Sequence, residues 1–543
     1  MIPVAPQLEA ADAFGIQRPD GPASKLRDLF ALLGDLLIDG GDVRLALDRP
    51  WGANAYGCEP VPAPDVLNFA SSTASPISER AYARAELARE KLIHASIEHG
   101  LDVALDLRTE AMREELKAHL QLPSDADIVF SPSGTDSQLH ALAIARALLG
   151  DAVTTIVTAS DQTGSGTPAT ARGHHFSSKT ASGALVQKDA PIMGLASDEV
   201  ALPLLDSAAL APREDHDEAV LGAVAAAVAR GQSVMLEIMD SSKFGWRSPG
   251  RACLDEIARR WPDRVQVVVD ACQMRLSRTR LRRYLACGYL VLITGSKYFG
   301  GPAFSGALLV PGGLSRALDH GAPLAAGLFD YVGRSDWPMH WTALRARSAR
   351  RPNFGQWLRW EAALEEIEAY YRVPAVFRSL AVRELGGAIE KLLRLSPAIL
   401  PVRAGVADAD VDDDEFGCPT IFAFALQRDG RMLGADECQR LYRALRRDVS
   451  GASGGSAGDR HIAVQRCLIG QPVRVAVPDT PPAAVLRLCI GARQVIGTWS
   501  PDATIARRNL DDEIGRLAAV VAKIELLVSK ASSVDVRKAC DEV

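Results

Sequence analysis

The sequence predicts an α/β protein: a three-layer α/β/α large domain on a mainly parallel sheet, followed by a smaller α+β C-terminal domain. Three observations predict it. Between residues 60 and 370, short apolar runs alternate with helical patterns, which implies a parallel sheet covered on both faces. Two of those runs end in chemistry-bearing residues: run 265–269 leads into Asp270, and run 289–293 leads into the turn Thr294-Gly295-Ser296-Lys297. The chain has 543 residues, long for one domain and suited to two or three. The expected division is an N-terminal extension over 1–60, a large domain over 61–370 and a small domain over 371–543.

Taken in order, 24–39 has the apolar spacing of an amphipathic helix, and 50–66 is Pro/Gly-rich loop. The Ser/Thr/Pro-rich start of 68–98 suits a loop that closes over a ligand, and its Ala/Glu/Arg-rich remainder a strong helix. A strand at 127–130 meets the turn 131–137 and an apolar helix, and the next strand is 154–158. The Gly/Ser/Thr-rich stretch 161–183 predicts a long irregular loop. A helix at 219–229 and strands at 233–239, 265–269, 289–293 and 306–310 complete the sheet. Helix 356–371 leads toward the smaller domain, where helices are expected at 373–397, 435–446 and 510–529. Strand-forming runs there are 418–426, 461–469 and 484–491, and 449–459 has the composition of a flexible loop.

An apolar fraction of 48% allows a large core, and a net charge of −6 with a pI near 6.0 gives no bulk basic character for nucleic acid. The basic cluster Arg275, Arg278, Arg280, Arg282 and Arg283 is expected to be a solvated helix face. Nine scattered cysteines show no CxxC and no Cys/His cluster of metal-ligand spacing, so no metal is expected and a reducing cytoplasm is. No run of ~18 apolar residues argues for a membrane span, and the N-terminus has neither the basic start nor the apolar core of a signal peptide.

The chemistry concentrates between Asp270 and Lys297. Their separation accommodates a strand end, a helical connection and a second strand, so both would project at one edge of the sheet, where open α/β sheets bind ligands. Lys297 sits among Gly295, Ser296, Gly300 and Gly301, a tight backbone that a ligand can approach; the plain alternative is a surface lysine in a turn. Lys243 also follows a strand and is the rival. Asp270 suits a buried carboxylate that holds a cation, or an ordinary helix N-cap. Ser133-Gly134-Thr135-Asp136, between strand and helix, is a phosphate site by geometry or a simple N-cap. Arg487, with Arg474 and Arg493 as alternatives, offers a fork for a carboxylate.

Asp270-Ala271-Cys272-Gln273 followed by Thr294-Gly295-Ser296-Lys297 resembles the fold-type I pyridoxal-phosphate enzymes, most closely the class V aminotransferase group with its cysteine desulfurases and kynureninase-like lyases. The resemblance covers about residues 60 to 500 and implies a seven-stranded sheet and pyridoxal 5'-phosphate held on Lys297 as a Schiff base. It implies that Gly134, Thr135, Asp136, Thr294 and Ser296 cup the phosphate, Asp270 pairs with the ring nitrogen, Gln273 bonds the ring hydroxyl and Arg487 holds a substrate carboxylate. It also implies a homodimer, with 300–305 and 71–78 as the segments expected to reach a neighbouring site.

The pattern departs from the family in two places. No His or aromatic residue follows run 154–158, where the group places a ring-stacking residue; His174 and His175 lie further along. Loop 449–459 has no Cys, and Cys467 lies in a strand-like run, which weakens a desulfurase reading. The expected activity is an aminotransferase of the class V type acting on an amino acid or related amine. The alternatives are a carbon–sulfur lyase or decarboxylase on the same scaffold, and a non-catalytic cofactor-binding or regulatory homologue.

Overall fold

The computed structural model describes residues 22–48, 52–403, 415–452, 456–476 and 482–530. Strands are numbered in chain order: β1 Val66–Phe69, β2 Asp127–Ser131, β3 Val153–Thr158, β4 Asp198–Leu202, a short ribbon of β5 Leu205–Asp206 and β6 Ala211–Pro212, β7 Ser233–Met239, β8 Val265–Asp270, β9 Leu290–Thr294, β10 Gly306–Val310, β11 Ile399–Pro401, β12 Ile421–Arg428, β13 Arg431–Met432, β14 Arg466–Val475 and β15 Ala483–Cys489. The large sheet has seven strands in the order β2-β10-β9-β8-β7-β3-β4. It is mainly parallel, as expected; β10 alone runs antiparallel to both its neighbours. β2, β3, β7, β9 and β10 are buried along their whole length, which is why they read as continuous apolar runs rather than alternating ones. The apolar helix Gly134–Leu149 covers one face, with Leu139, Leu142 and Ile144 fully buried.

The second sheet, β1-β14-β15-β12-β11 with β13 beside β12, packs under helices Ala375–Leu395, Ala435–Leu445 and Ala503–Lys530. Its first strand is β1, paired in parallel with β14 four hundred positions later: Val66 lies opposite Arg466 and Phe69 opposite Ile469.

The long helix Phe354–Arg372 joins the parts. Its Glu361, fully buried, accepts from Arg108 Nη2 at 2.7 Å and Arg84 Nε at 3.3 Å on the two preceding long helices. Its Arg359, also fully buried, donates to the carbonyls of Phe304 at 2.7 Å, Leu37 at 3.0 Å, Asp39 at 2.6 Å and Gly40 at 3.1 Å. An arginine saturated by carbonyls is a stitch between the N-terminal segment and the loop before β10.

Four expectations change. The 24–39 helix is two short ones, Pro22–Asp28 and Leu33–Leu37; the break between them lets Leu29, Leu33, Leu36 and Leu37 all face the core. The 161–183 loop contains the helix Thr167–Ala171, whose Thr167 and Thr170 hydroxyls bond Gln138. The arginine cluster is not simply solvated: Arg275 and Arg280 are buried, Arg275 donating to Ile490 O at 2.7 Å and to Ser71 Oγ at 2.8 Å. In 449–459, the capping pair Ser456 and Asp459 starts a helix, Ala457–Val464; residues 453–455 lie outside the described set.

The position that ties the sheet to the ligand-facing edge is Gly306. It stands opposite Ser131 on β2 and Thr294 on β9, and its carbonyl accepts from Trp360 Nε1 at 2.9 Å. A Cβ there would meet the Ser133 backbone at 2.4 Å. Gly306→Ala should therefore cost ~1–3 kcal/mol in chemical denaturation and spread the turns that follow β2 and β9. Unchanged stability in that variant would mean that the backbone contact is not binding.

Candidate functional site

At the C-terminal ends of the parallel strands lies a cavity of about 420 Å³, the size of a small-ligand site. It gathers residues from widely separated stretches of chain, from Arg44 to Arg487. Of the predicted site residues, Gly134, Thr135, Asp270, Gln273, Thr294, Ser296, Lys297 and Arg487 all line it, as does the rival Lys243. Asp136 does not. Its buried carboxylate accepts from Ser133 Oγ at 2.6 Å inside the helix cap, and burial, then the nearby Asp42, pushes it up to about 7.

One end of the cavity is built for an anion. Helix Gly134–Leu149 begins there with its first N–H groups, and Thr135 adds a hydroxyl, while the Ser133 hydroxyl is taken by Asp136. Gly134 allows the close approach, since a Cβ would sit 2.6 Å from Cys272 Sγ. Sequence reasoning missed the cation at this end. Arg44 reaches Thr135 Oγ1 at 3.4 Å and Ser133 Oγ at 3.5 Å, aimed by Asp42, which accepts from its Nε at 2.9 Å and Nη2 at 2.6 Å. The guanidinium also lies over the Phe304 ring, 4.9 Å from its centroid. Asp42-Val43-Arg44 has no motif to announce it; the Arg359 stitch, with Asn353 donating to Gly40 O at 2.9 Å, brings that segment here.

The floor carries the acids. Asp270 Oδ1 accepts from Cys272 N at 3.0 Å. Diagonally beside it on β7, facing the same way, is Glu237, which is fully buried. Its Oε1 accepts from Gln138 at 2.6 Å and its Oε2 has no partner among the described residues. Burial, then Asp270, pushes the Glu237 carboxyl up to about 8. Gln273 Nε2 donates to Ser72 O at 3.0 Å, so its amide is committed to the backbone. Gln162, from the segment after β3, lines the cavity where a stacking ring was absent in the sequence. His174 and His175 do not line the cavity, and His175 bonds Tyr331 at 2.6 Å instead. Cys272 and Cys467 are buried thiols held above their ordinary range by that burial, poor nucleophiles both.

The far end is cationic. Arg487 on β15 is buried and donates to Thr73 Oγ1 at 3.0 Å, while its Nε and Nη1 have no partner among the described residues. Gly470 makes room for it, since a Cβ there would lie 2.6 Å from Arg487 Nε. Lys243 and Lys297 line the same cavity, and Lys243 feels the charges of both Arg487 and Lys297. Of the alternatives for a carboxylate, Arg474 reaches the rim and is paired with Asp436 at 2.6 Å, and Arg493 lies outside the cavity. Segments 71–78 and 300–305 supply Ser72, Thr73, Ala303, Phe304 and Ser305 to this chain's own cavity.

No family model and no curated protein matches the chain. Among solved structures it is distantly similar to Catharanthus roseus tryptophan decarboxylase in complex with L-tryptophan, at 14% identity and TM-score 0.45 over 83% of each chain. A NifS-like protein gives 13% and 0.46, over 82% of this chain and 98% of that one. The glutamate decarboxylase domain of a Vibrio parahaemolyticus diaminobutyrate-pyruvate transaminase and L-2,4-diaminobutyrate decarboxylase gives 14% and 0.42, over 84% and 80%. Likenesses this distant do not transfer an activity.

The buried acids set a pH dependence. Glu237 and Asp136 are both raised, so folding holds their protons and the contribution is complete below the ordinary carboxylate range. It is lost as pH climbs through about 7 for Asp136 and about 8 for Glu237. Stability should fall across that interval, and Glu237→Gln should flatten the fall by up to ~1.4 kcal/mol per pH unit. Urea titrations at several pH values check this; parallel curves for the two proteins would refute the assignment.

Proposed function

We propose that this chain is a pyridoxal-phosphate-dependent enzyme of fold type I that acts on an amino acid, with Lys297 attaching the cofactor. The observation that supports it is the convergence of an anion cup, an acid, a lysine and a carboxylate-seeking arginine on one cavity, in an order along it that suits a single cofactor and its substrate. The seven-stranded sheet agrees with it.

The residues fit the group. Gly134, Thr135, Ser296 and Arg44 would hold its phosphate, and Asp270 would hold a proton on its ring nitrogen, because an adjacent carboxylate favours the charged form. Bound there, pyridoxal phosphate supplies an electron sink for charge developing at the substrate α-carbon. Thr294, whose hydroxyl donates to Cys272 O at 2.7 Å, braces the wall rather than offering that proton to the cup. Gln162 would cover the ring face. The unpartnered nitrogens of Arg487 would clamp the substrate carboxylate, and the Lys297 amine, once displaced by the substrate amine, would move the α-proton.

Amino transfer of the class V type is the reaction we favour. A guanidinium that grips the carboxylate stabilises it in place, which favours chemistry at the α-proton over loss of CO₂. Carbon–sulfur lysis would start in the same way, and assays for keto acid, sulfide and CO₂ with a panel of amino acids separate the three. We further propose a cytoplasmic homodimer. No helix among the described residues is long and apolar enough to cross a membrane.

Purified protein should show a visible absorbance band that Lys297→Ala abolishes and Lys243→Ala retains; a colourless wild type that takes up no added cofactor would overturn the proposal. Arg44→Ala should weaken binding of inorganic phosphate, and of the cofactor, ~10–100-fold, the worth of one hydrogen-bonded charge. Calorimetry showing equal affinity would remove Arg44 from the cup.

A further inference from the structure

We infer that the substrate carries a second anionic group, and that Lys243 is the residue that receives it. The substrate class is then a dicarboxylic amino acid or another amine with two negative groups. This rests on the reading of the cavity as a pyridoxal-phosphate site only in that Lys297 is taken by the cofactor.

The inference comes from the charges of the cavity wall. The lining carries the cations Arg44, Lys243, Lys297, Arg474 and Arg487 and the acids Asp161 and Asp270. Both acids have other work. Asp161 accepts from the backbone N–H groups of Leu204 at 2.8 Å and Leu205 at 3.0 Å, and Asp270 accepts from Cys272 N. Arg44 belongs to the anion cup and is paired with Asp42. Arg474 at the rim is paired with Asp436. This leaves Arg487 with two unpartnered buried nitrogens, and beside it Lys243, part-buried and without an ion pair among the described residues.

One carboxylate satisfies Arg487. It does not satisfy Lys243, whose ammonium sits among the charges of Arg487, Lys297, Asp161 and Asp270; burial first, then the two cations, hold it down to about 8. Two like charges kept together near a cavity, with only committed acids facing them, are the complement of a ligand with two anions. The lining includes further polar groups that could bond a second anion, Thr73, Ser241 and Gln471, the last beside apolar Pro472 and Val473.

The test is calorimetric titration of the purified protein with malonate, succinate and glutarate, each against the monocarboxylate of equal length. At least one diacid should bind ~10-fold tighter than its partner, the worth of one charge-assisted contact. Lys243→Met should erase that preference while leaving monocarboxylate affinity within about twofold, Lys243→Arg should restore it, and Arg487→Met should weaken both series. Near pH 8, diacid binding should also take up a proton, visible as a heat that changes with buffer and is missing in Lys243→Met. Equal affinity for the two series, or a preference that survives Lys243→Met, overturns the inference. The cofactor reading fails separately: a colourless protein with a Lys243-dependent diacid preference would sink it and leave this inference standing.

Discussion

The antiparallel insertion of β10 between β2 and β9 is the constraint on which the site depends. Gly306 is bonded into both neighbours, opposite Ser131 and Thr294, so the turn that opens the anion cup and the turn that carries Lys297 are held one strand apart on either side of it. Parallel pairing of β7, β8 and β9 does the rest, aligning Met239, Asp270 and Leu292 across three strands. Side chains at strand ends inherit the precision of the backbone ladder, and a loop-built site would not have it.

What could be read in the sequence follows from how local each signal is. Asp270 and Lys297 were visible because a buried parallel strand is a continuous apolar run, and the residue that ends it stands out. Ser133-Gly134-Thr135 was visible because helix caps have short-range chemistry. Arg44 was not, since it acts through Asp42 next to it and Arg359 more than three hundred residues away. Glu237 was hidden inside an apolar strand whose neighbours said only that it is buried. Asp136 misled because a cap carboxylate and a ligand-facing one look alike in sequence; the difference is which way the Ser133 hydroxyl turns it.

The electrostatics are uneven by region. The sheet floor raises the Glu237 carboxyl by withholding solvent and counterions. The upper wall keeps cations unpaired, as Arg487 and Lys243 show. Such groups weaken the protein without its ligand and are tolerated where a ligand repays the cost.

The distances along the chain between partners in this fold have a consequence for synthesis. Arg44 is aimed by a segment that stays unanchored until Arg359 has been made, and β1 has no strand to join until β14 emerges. The nascent chain therefore carries an N-terminal strand with open edges through most of translation, and the anion cup gains its arginine only after the central helix is in place. Capture of a phosphate-bearing molecule would then be an event of the finished chain, and a truncated product of premature termination would compete poorly for it.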